Sequence, residues 1–464
     1  MATVPAALIH SLEQLPHFDK EAFIAVHAAE EKVTSVRINP VKFGLEDVAH
    51  FSGVQLTNTN PVAVPWSQYG FYLPQRPSFT FDPLFHAGCY YVQEASSMFL
   101  EQALLQHGQL EQDQKVLDLC AAPGGKSTHI QSLISAGSLL VSNEVIKARA
   151  GILKQNLTRW GAANTVVTNN DPQHFARLAG FFDIMVVDAP CSGSGLFRRD
   201  PQAINVWSED AVQLCCGRQR RILADALPAL RSGGLLVYST CSYSAEEDEA
   251  IADWLVQDCG MEPLQLEVPA EWQIVTTSAP ASGPKGYRFF PDKTKGEGFY
   301  LACFRKKAVD DTRYKTAKPE KASAKEVAAL ATWLDTSQLE VLKEGFLYAL
   351  PAHLLEAYSM VKANLYVQQA GIRLGEVMKD KLVPDHALAL SGLLHDDVPG
   401  TDLSLEDAIR YLQRQDLSFV PEKRGWQTVR YKGHELGWIN ALGNRLNNYY
   451  PKELRILKQG GPDQ

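Results

Sequence analysis

The chain predicts an α/β fold built around a parallel sheet, and three features of the sequence predict it. Short apolar runs alternate with helical stretches from Lys115 to Ser239, the pattern of strands joined by crossover helices. The first run, Val116, Leu117 and Leu119, breaks at Pro123, Gly124 and Gly125, and apolar residues at helical spacing follow from Ser127 to Ile134. The fourth run, Ile184 to Val187, is continuously apolar, as in a strand buried on both faces. This core is taken as residues 76–305. A small α+β module over residues 1–75 precedes it, and a Lys- and Ala-rich linker over residues 306–327 separates it from a carboxyl-terminal α+β region over residues 328–464.

A chain of 464 residues with 45% hydrophobic residues can bury several cores. Its apolar runs are too short to cross a membrane, and its amino terminus lacks the basic-then-apolar pattern of a secretory signal. Eight cysteines without a CxxC pair suit neither a disulfide framework nor a zinc site, so no metal is expected and a reducing cytoplasm is the natural location. The net charge of −8 supplies no long-range attraction to nucleic acid, so any RNA site must be a local basic patch.

In chain order, an amphipathic stretch from Lys20 to Lys32 precedes a strand-like alternation of Val33, Val36 and Ile38 with Arg37 on its other face. Arg37 and Asn39 could meet a nucleic-acid backbone, but an exposed Arg on a strand is more often a solvated face. His86, Gln93, Glu94 and Ser96 stand ahead of a helix carrying Met98, Leu100, Leu104 and Leu105; helix capping is favoured over a place on a pocket rim.

The turn after the first core strand admits two readings. A phosphate-binding loop needs Gly, four residues, Gly, Lys and Ser or Thr; Cys120 occupies the first Gly position, and Pro123 removes a backbone N–H. The second reading is a Rossmann-type adenosine turn, with an acidic residue about 20 positions on to take the ribose hydroxyls. Glu144 stands there, after Leu139, Leu140 and Val141, and an ordinary surface Glu is an equal alternative. The third strand, Thr165 to Thr168, leads to Asp171, placed either to accept from an exocyclic amine such as that of adenine or to start a turn before Pro172.

The fourth strand ends at Asp188, Ala189, Pro190 and Cys191, with Gly193 and Gly195 in an adaptable loop and with Arg198 and Arg199 as cations within reach of a substrate phosphate. After a helix from Glu209 to Leu230, the fifth strand, Leu235 to Ser239, ends at Thr240 and Cys241. Two strands thus deliver a cysteine to the edge that carries the adenosine turn, which points to catalysis, whereas Cys216, Cys259 and Cys303 read as small buried hydrophobes. Glu246, Glu247, Asp248 and Glu249 begin the next helix, where negative charge suits the macrodipole, a structural role. Near the end, Arg430, Lys432, Arg445, Lys452 and Arg455 alternate with Trp426, Trp438, Tyr449 and Tyr450, a combination suited to phosphates and unstacked bases.

The ordered motifs LDLCAAPGGKST, the isolated Glu144, DIMVVDAPCSGSG, LLVYSTCSYSAEED and GEGFYLA resemble RNA cytosine carbon-5 methyltransferases of the Sun/Fmu type. The carboxyl-terminal GHELGWINALGNRLNNYYPKELRI is similar to the PUA-type RNA-binding tail of the branch that acts on 16S rRNA of the small ribosomal subunit. The resemblance implies a Rossmann-like S-adenosylmethionine-dependent methyltransferase core, an RNA-binding amino-terminal module and 16S rRNA as partner. S-adenosylmethionine would be held by Cys120, Ala121, Ala122, Pro123, Gly124, Gly125, Lys126, Glu144, Asp171 and Asp188. It further implies that Cys241 adds to carbon 6 of the base and that Cys191 helps release the product, with Asp188 beside the target's amine, the cofactor or both. The competing class is a P-loop NTPase, with Lys126 on phosphates and Asp188 on magnesium.

Overall fold

The structure is a computed structural model that describes residues 4–29, 31–44, 62–307, 314–417, 419, 423–443 and 445–458. Strands β1 (Thr34–Ile38), β2 (Val62–Ala63), β3 (Gly70–Leu73) and β4 (Tyr90–Val92) form an antiparallel sheet in the order β2-β3-β1-β4. Its last strand lies beyond residue 75, because β4 pairs with β1 through Val36–Val92, Arg37–Tyr91 and Ile38–Tyr90.

The core strands are β5 (Lys115–Asp118), β6 (Leu139–Asn143), β7 (Thr165–Thr168), β8 (Phe182–Asp188) and β9 (Leu230–Thr240), all parallel, in the order β9-β8-β5-β6-β7. Strands β10 (Met261–Leu264), β11 (Val275–Ser278), β12 (Lys285–Phe289) and β13 (Phe299–Lys306) extend the sheet beyond β9. Chain direction across the sheet reverses between β5 and β8, so their carboxyl ends open the crevice where ligands of such sheets bind. Alternate residues go to opposite faces: Leu117, Val141, Met185 and Leu236 pack in one apolar cluster, and Val116, Leu140, Ile184 and Leu235 pack in another. Burial on both faces is why these strands read as unbroken apolar runs.

Beyond the expected linker follow β14 (Leu339–Glu344), β15 (Phe346–Pro351), β16 (Val367–Ala370), β17 (Ile372–Met378) and β18 (Lys381–Pro384). Then come β19 (Gly400–Asp402), β20 (Gly425–Tyr431), β21 (His434–Ala441) and β22 (Leu446–Asn448). Two further four-stranded sheets form, β14-β15-β17-β18 and β19-β20-β21-β22. The expectation of a wholly separate domain does not hold, since β16 pairs antiparallel with β7 and becomes the edge of the core sheet. The helix Leu355–Asn364 buries Tyr358 and Val361 in the same apolar cluster as Leu117 and Met185, so this part of the chain shares the core's interior.

Candidate active site

The turn after β5 is gripped from three sides. Ala121 N–H donates to the Asn143 carbonyl at 2.8 Å, Arg149 to the Ala122 carbonyl at 2.8 Å and Asn156 to the Pro123 carbonyl at 2.7 Å. Gly124 has φ +117°, a backbone conformation open to glycine, and it starts the helix Gly125–Leu133. Buried Asn143 donates to the carbonyls of Leu119 and Asn170 and accepts from Thr168 Oγ1, so one amide ties the ends of β5, β6 and β7 together.

Four carboxylates gather at these ends. Glu144, 3% exposed, accepts from Ile146 N–H at 2.9 Å and lies 3.3 Å from Arg149. Asp171 caps the short helix after β7 through Gln173 N–H at 3.2 Å and faces Arg221 at 3.4 Å, which realises the turn-starter geometry. Asp188 accepts from Ser239 Oγ at 2.8 Å and pairs with Lys126 Nζ at 2.8 Å. Asp118, invisible as a site residue in the sequence because it reads as part of the strand, accepts from Ser127 Oγ at 2.6 Å and leaves its other oxygen without a partner. Burial pushes its carboxyl up to about 7, and the charges of Asp188 and Glu144 add to the rise. Lys126 is held above its ordinary value: burial opposes its charge, but Asp188 and Asp118 outweigh that cost. Burial also pushes the Cys120 thiol far up.

Cys191 follows β8 and Cys241 ends β9, and their Sγ atoms lie 3.0 Å apart. Both are half-buried. The contact with Cys241 and burial together raise the Cys191 thiol well above its usual range, so at neutral pH it is a protonated thiol. Beneath the pair lies Glu247, fully buried. It accepts from Ser192 N–H at 2.8 Å, from Ser192 Oγ and Ser242 Oγ at 2.6 Å each, and from Gln219 at 3.1 Å. The residue after each cysteine is therefore tied to one carboxylate. Gly195 N–H donates to the Cys241 carbonyl at 2.9 Å, and Gly298 N–H donates to the Gly195 carbonyl at 3.0 Å. A Cβ on Gly298 would lie 2.5 Å from Gly195 Cα, so the three loops meet only because glycines stand there.

Several sequence expectations are corrected here. The acidic run does open the next helix, Glu249–Gln257, but it is not at the surface: Glu247, Asp248 and Glu249 are buried, and Arg288 pairs with the latter two while Thr240 Oγ1 donates to Asp248. Arg37 is not a solvated face either, since its guanidinium is fully buried, donates to Gln93, Ser132 and Thr128, and lies 4.6 Å from the Trp160 ring centroid. Asn39 donates to the carbonyls of Gly88 and Trp160. Arg198 is not free for phosphate because it donates to the carbonyls of Gly296 and Glu31, while Arg199 is exposed. Glu94 caps as expected, accepting from Ser96 and Ser97 N–H, but it and Gln93 also line a cavity. In the tail, Trp438 and Tyr450 are core residues at 1% and 2% exposure, which leaves Trp426, Tyr449 and the cations Arg445, Lys452 and Arg455 for contact with a partner.

Comparison with known proteins now bears on this geometry. The family described as 16S rRNA methyltransferase RsmB/F matches residues 105–305. Ribosomal RNA small subunit methyltransferase F of Aeromonas salmonicida is 31% identical over 97% of both chains. The chain belongs to the RsmB/F family of methyltransferases. Its counterpart in Shewanella piezotolerans is 30% identical over 98% of both chains. The N-terminal domain of 16S rRNA methyltransferase RsmF matches residues 4–95, ending just past β4, and the RsmF PUA domain matches residues 399–456. Among solved structures, a methyltransferase homolog from Pyrococcus horikoshii aligns at TM-score 0.52 and 27% identity, covering 65% of this chain and 100% of that one. NSun6 from the same organism, solved with SFG, shares the fold at TM-score 0.55 and 20% identity, covering 67% of this chain and 100% of that one.

An RsmB/F methyltransferase draws its methyl group from S-adenosylmethionine, and the crevice fits such a ligand. Glu144, Asp171 and Asp188 would attract a sulfonium cation and accept from ribose hydroxyls and amines, and their charge would disfavour a triphosphate, while Asp118, pushed up to about 7, adds only part of a charge. Lys126 is already paired with Asp188. The phosphate-loop reading is therefore displaced by both family and electrostatics.

Proposed function

We propose that the chain methylates carbon 5 of a cytosine in RNA, most directly 16S rRNA of the small ribosomal subunit, through a covalent adduct of Cys241 with carbon 6. The observation that carries this reading is the pair of sulfurs 3.0 Å apart at the ends of two adjacent strands, beside a carboxylate-lined crevice. Carbon 5 of cytosine is a weak nucleophile. Addition of the Cys241 thiolate to carbon 6 converts it into an enamine-like carbon that can take a methyl group. S-adenosylmethionine, when bound, supplies that methyl group as an electrophile on a sulfonium.

The cofactor would rest on residues 120–126, with Glu144 toward the ribose, Asp171 toward the adenine amine and Asp188 at the junction of cofactor and base. Asp188 would accept from the exocyclic amine of cytosine, where uracil presents an oxygen, and so favour cytosine. Once carbon 5 carries the methyl group, water takes its proton, the electron pair left on carbon 5 re-forms the double bond to carbon 6, and Cys241 departs as the thiolate, restoring the aromatic ring. Cys191, beside Cys241 and with its thiol pushed well above the usual range, would assist that release. Carbon 6 must be reached from outside a base stack, so the target is unpaired or flipped out. With a net charge of −8, affinity would come from the end regions and the ribosomal context, and a reducing cytoplasm would keep both thiols available.

The test is to incubate the protein with methyl-labelled S-adenosylmethionine and small-subunit rRNA or subunits, digest to nucleosides and separate them. Label should run with 5-methylcytidine. Label on any other nucleoside overturns the reading.

A further inference from the structure

A cavity of about 340 Å³ lies where the amino-terminal module meets the loops of the active site. Lys32, Ser35, Arg76, Glu94, Arg199 and Glu297 are among the residues that line it. Its volume is at the lower end of the range for small-ligand pockets, about 300–1,000 Å³. Lys32, Arg76 and Arg199 are exposed cations from three separate segments. Glu94 already accepts from the N–H groups of Ser96, Ser97 and Glu297, each at 2.9 Å, which occupies most of its acceptor sites.

Glu297 differs. It is 5% exposed, and its Oε2 accepts no hydrogen bond. The cation facing it, Arg198, stands 3.8 Å away as a loose ion pair, donates to the carbonyls of Gly296 and Glu31, and leaves its own Nε without a partner. A buried carboxylate oxygen left in this state is costly unless a donor arrives. The position of the wall is also telling. Gly298, the next residue, donates to the Gly195 carbonyl, and Gly195 donates to the Cys241 carbonyl, so the cavity adjoins the loop that holds the cysteine.

We propose that this cavity receives a nucleotide of the RNA flanking the target cytosine, with Lys32, Arg76 and Arg199 contacting its phosphates and Glu297 accepting from the exocyclic amino group of its base. The inference rests on the reading of the site as an RNA cytosine methyltransferase. Cations at the mouth fit phosphate oxygens, which fix position without reading sequence. The unpartnered carboxylate oxygen of Glu297 would read the base edge: adenine, cytosine and guanine each carry an amino group, and uracil carries none. Glu297 thus selects an amino-bearing neighbour against uracil.

The experiment uses the full chain and short unpaired RNAs whose only cytosine is the target, with each flanking position in turn set to adenine, guanine or uracil. Transfer of label from S-adenosylmethionine and the identity of the methylated nucleoside are both recorded. At one flanking position, wild type should prefer the amino-bearing bases over uracil by about tenfold or more in kcat/KM, and Glu297→Gln should reduce that preference to within about twofold. Arg76→Ala should instead weaken binding of every RNA alike and lower the salt dependence of binding by about one unit of slope. Absence of any flanking preference in wild type overturns the proposal, as does a preference that survives Glu297→Gln. An Arg76→Ala variant with unchanged salt dependence overturns the phosphate assignment even if Glu297→Gln does not fold. A product other than 5-methylcytidine would defeat the cytosine carbon-5 reading instead, and the flanking preference would still be scored.

Discussion

Cys191 and Cys241 are equivalent to the eye in the sequence, each at a strand end and each followed by Ser, and the structure shows what that repeated Ser does. Both serines donate to Glu247, which makes the carboxylate a positioning group for both sulfurs. Glu247→Gln would turn one acceptor oxygen into a donor facing donors already present. We expect kcat to fall about 10- to 100-fold with KM within about twofold, because misplacing a reacting group by a fraction of an ångström costs rate more than binding. A merely structural role would lower thermal stability without this split, so steady-state kinetics beside a melting curve checks it. Glu247 could not be found from sequence because it stands in a run of four acids whose plain reading is a helix start suited to the macrodipole. Its burial depends on the turn from Ser244 to Asp248 bringing it against Ser192 and Gln219, which no local pattern records. The two cysteines were legible for the opposite reason: strand ends follow from apolar runs, and strand ends define the crevice. Arg37 was misread for lack of the same tertiary information, since only contact with the helix Gly125–Leu133 and Trp160 removes it from water.

At the scale of elements, the parallel strands announced themselves because burial on both faces leaves no polar alternation, and β7 and β8 end where their apolar runs end. The expected helix after Ser208 stops at Ala226 and passes through a short tighter turn into β9, which begins at Leu230, before the two glycines at 233 and 234. Glycines usually break a strand pattern, so the early start was hidden. The loops are less forgiving than the strands. Gly298 sits where a methyl group would fall 2.4 Å from the Tyr243 ring and 2.5 Å from Gly195 Cα. Gly298→Ala should therefore push apart the loops bearing Cys191 and Cys241 and lower kcat by about 100-fold while the chain still folds. Methyl-transfer rates together with a circular dichroism spectrum check this; full activity in the variant would show that loop contact to be dispensable.

Across the whole molecule, the sequence divided the chain more sharply than the structure does. New sheets follow the composition change after Lys306, but β16 returns to pair with β7, and backbone groups of Tyr366 bond Asn169 and Asn170 beside Asp171. A strand of four residues, Val367–Ala370, that pairs with Thr165–Thr168 far back in the chain carries no local signature. Its consequence is that the carboxyl-terminal region, which presents Tyr449, Arg445, Lys452 and Arg455, is anchored on the sheet that holds the cofactor crevice. The amino-terminal sheet is anchored there too, through Arg37. Both ends of the chain are thereby tied to the core sheet whose strand ends carry the cysteines. The most direct test of the central claim is to incubate wild type, Cys241→Ala and Cys191→Ala with small-subunit rRNA and S-adenosylmethionine, and to look for a protein–RNA adduct that survives denaturing gel electrophoresis. The account predicts no methyl transfer and no adduct from Cys241→Ala, and an accumulating adduct from Cys191→Ala; an adduct formed by Cys241→Ala and none by Cys191→Ala would contradict it.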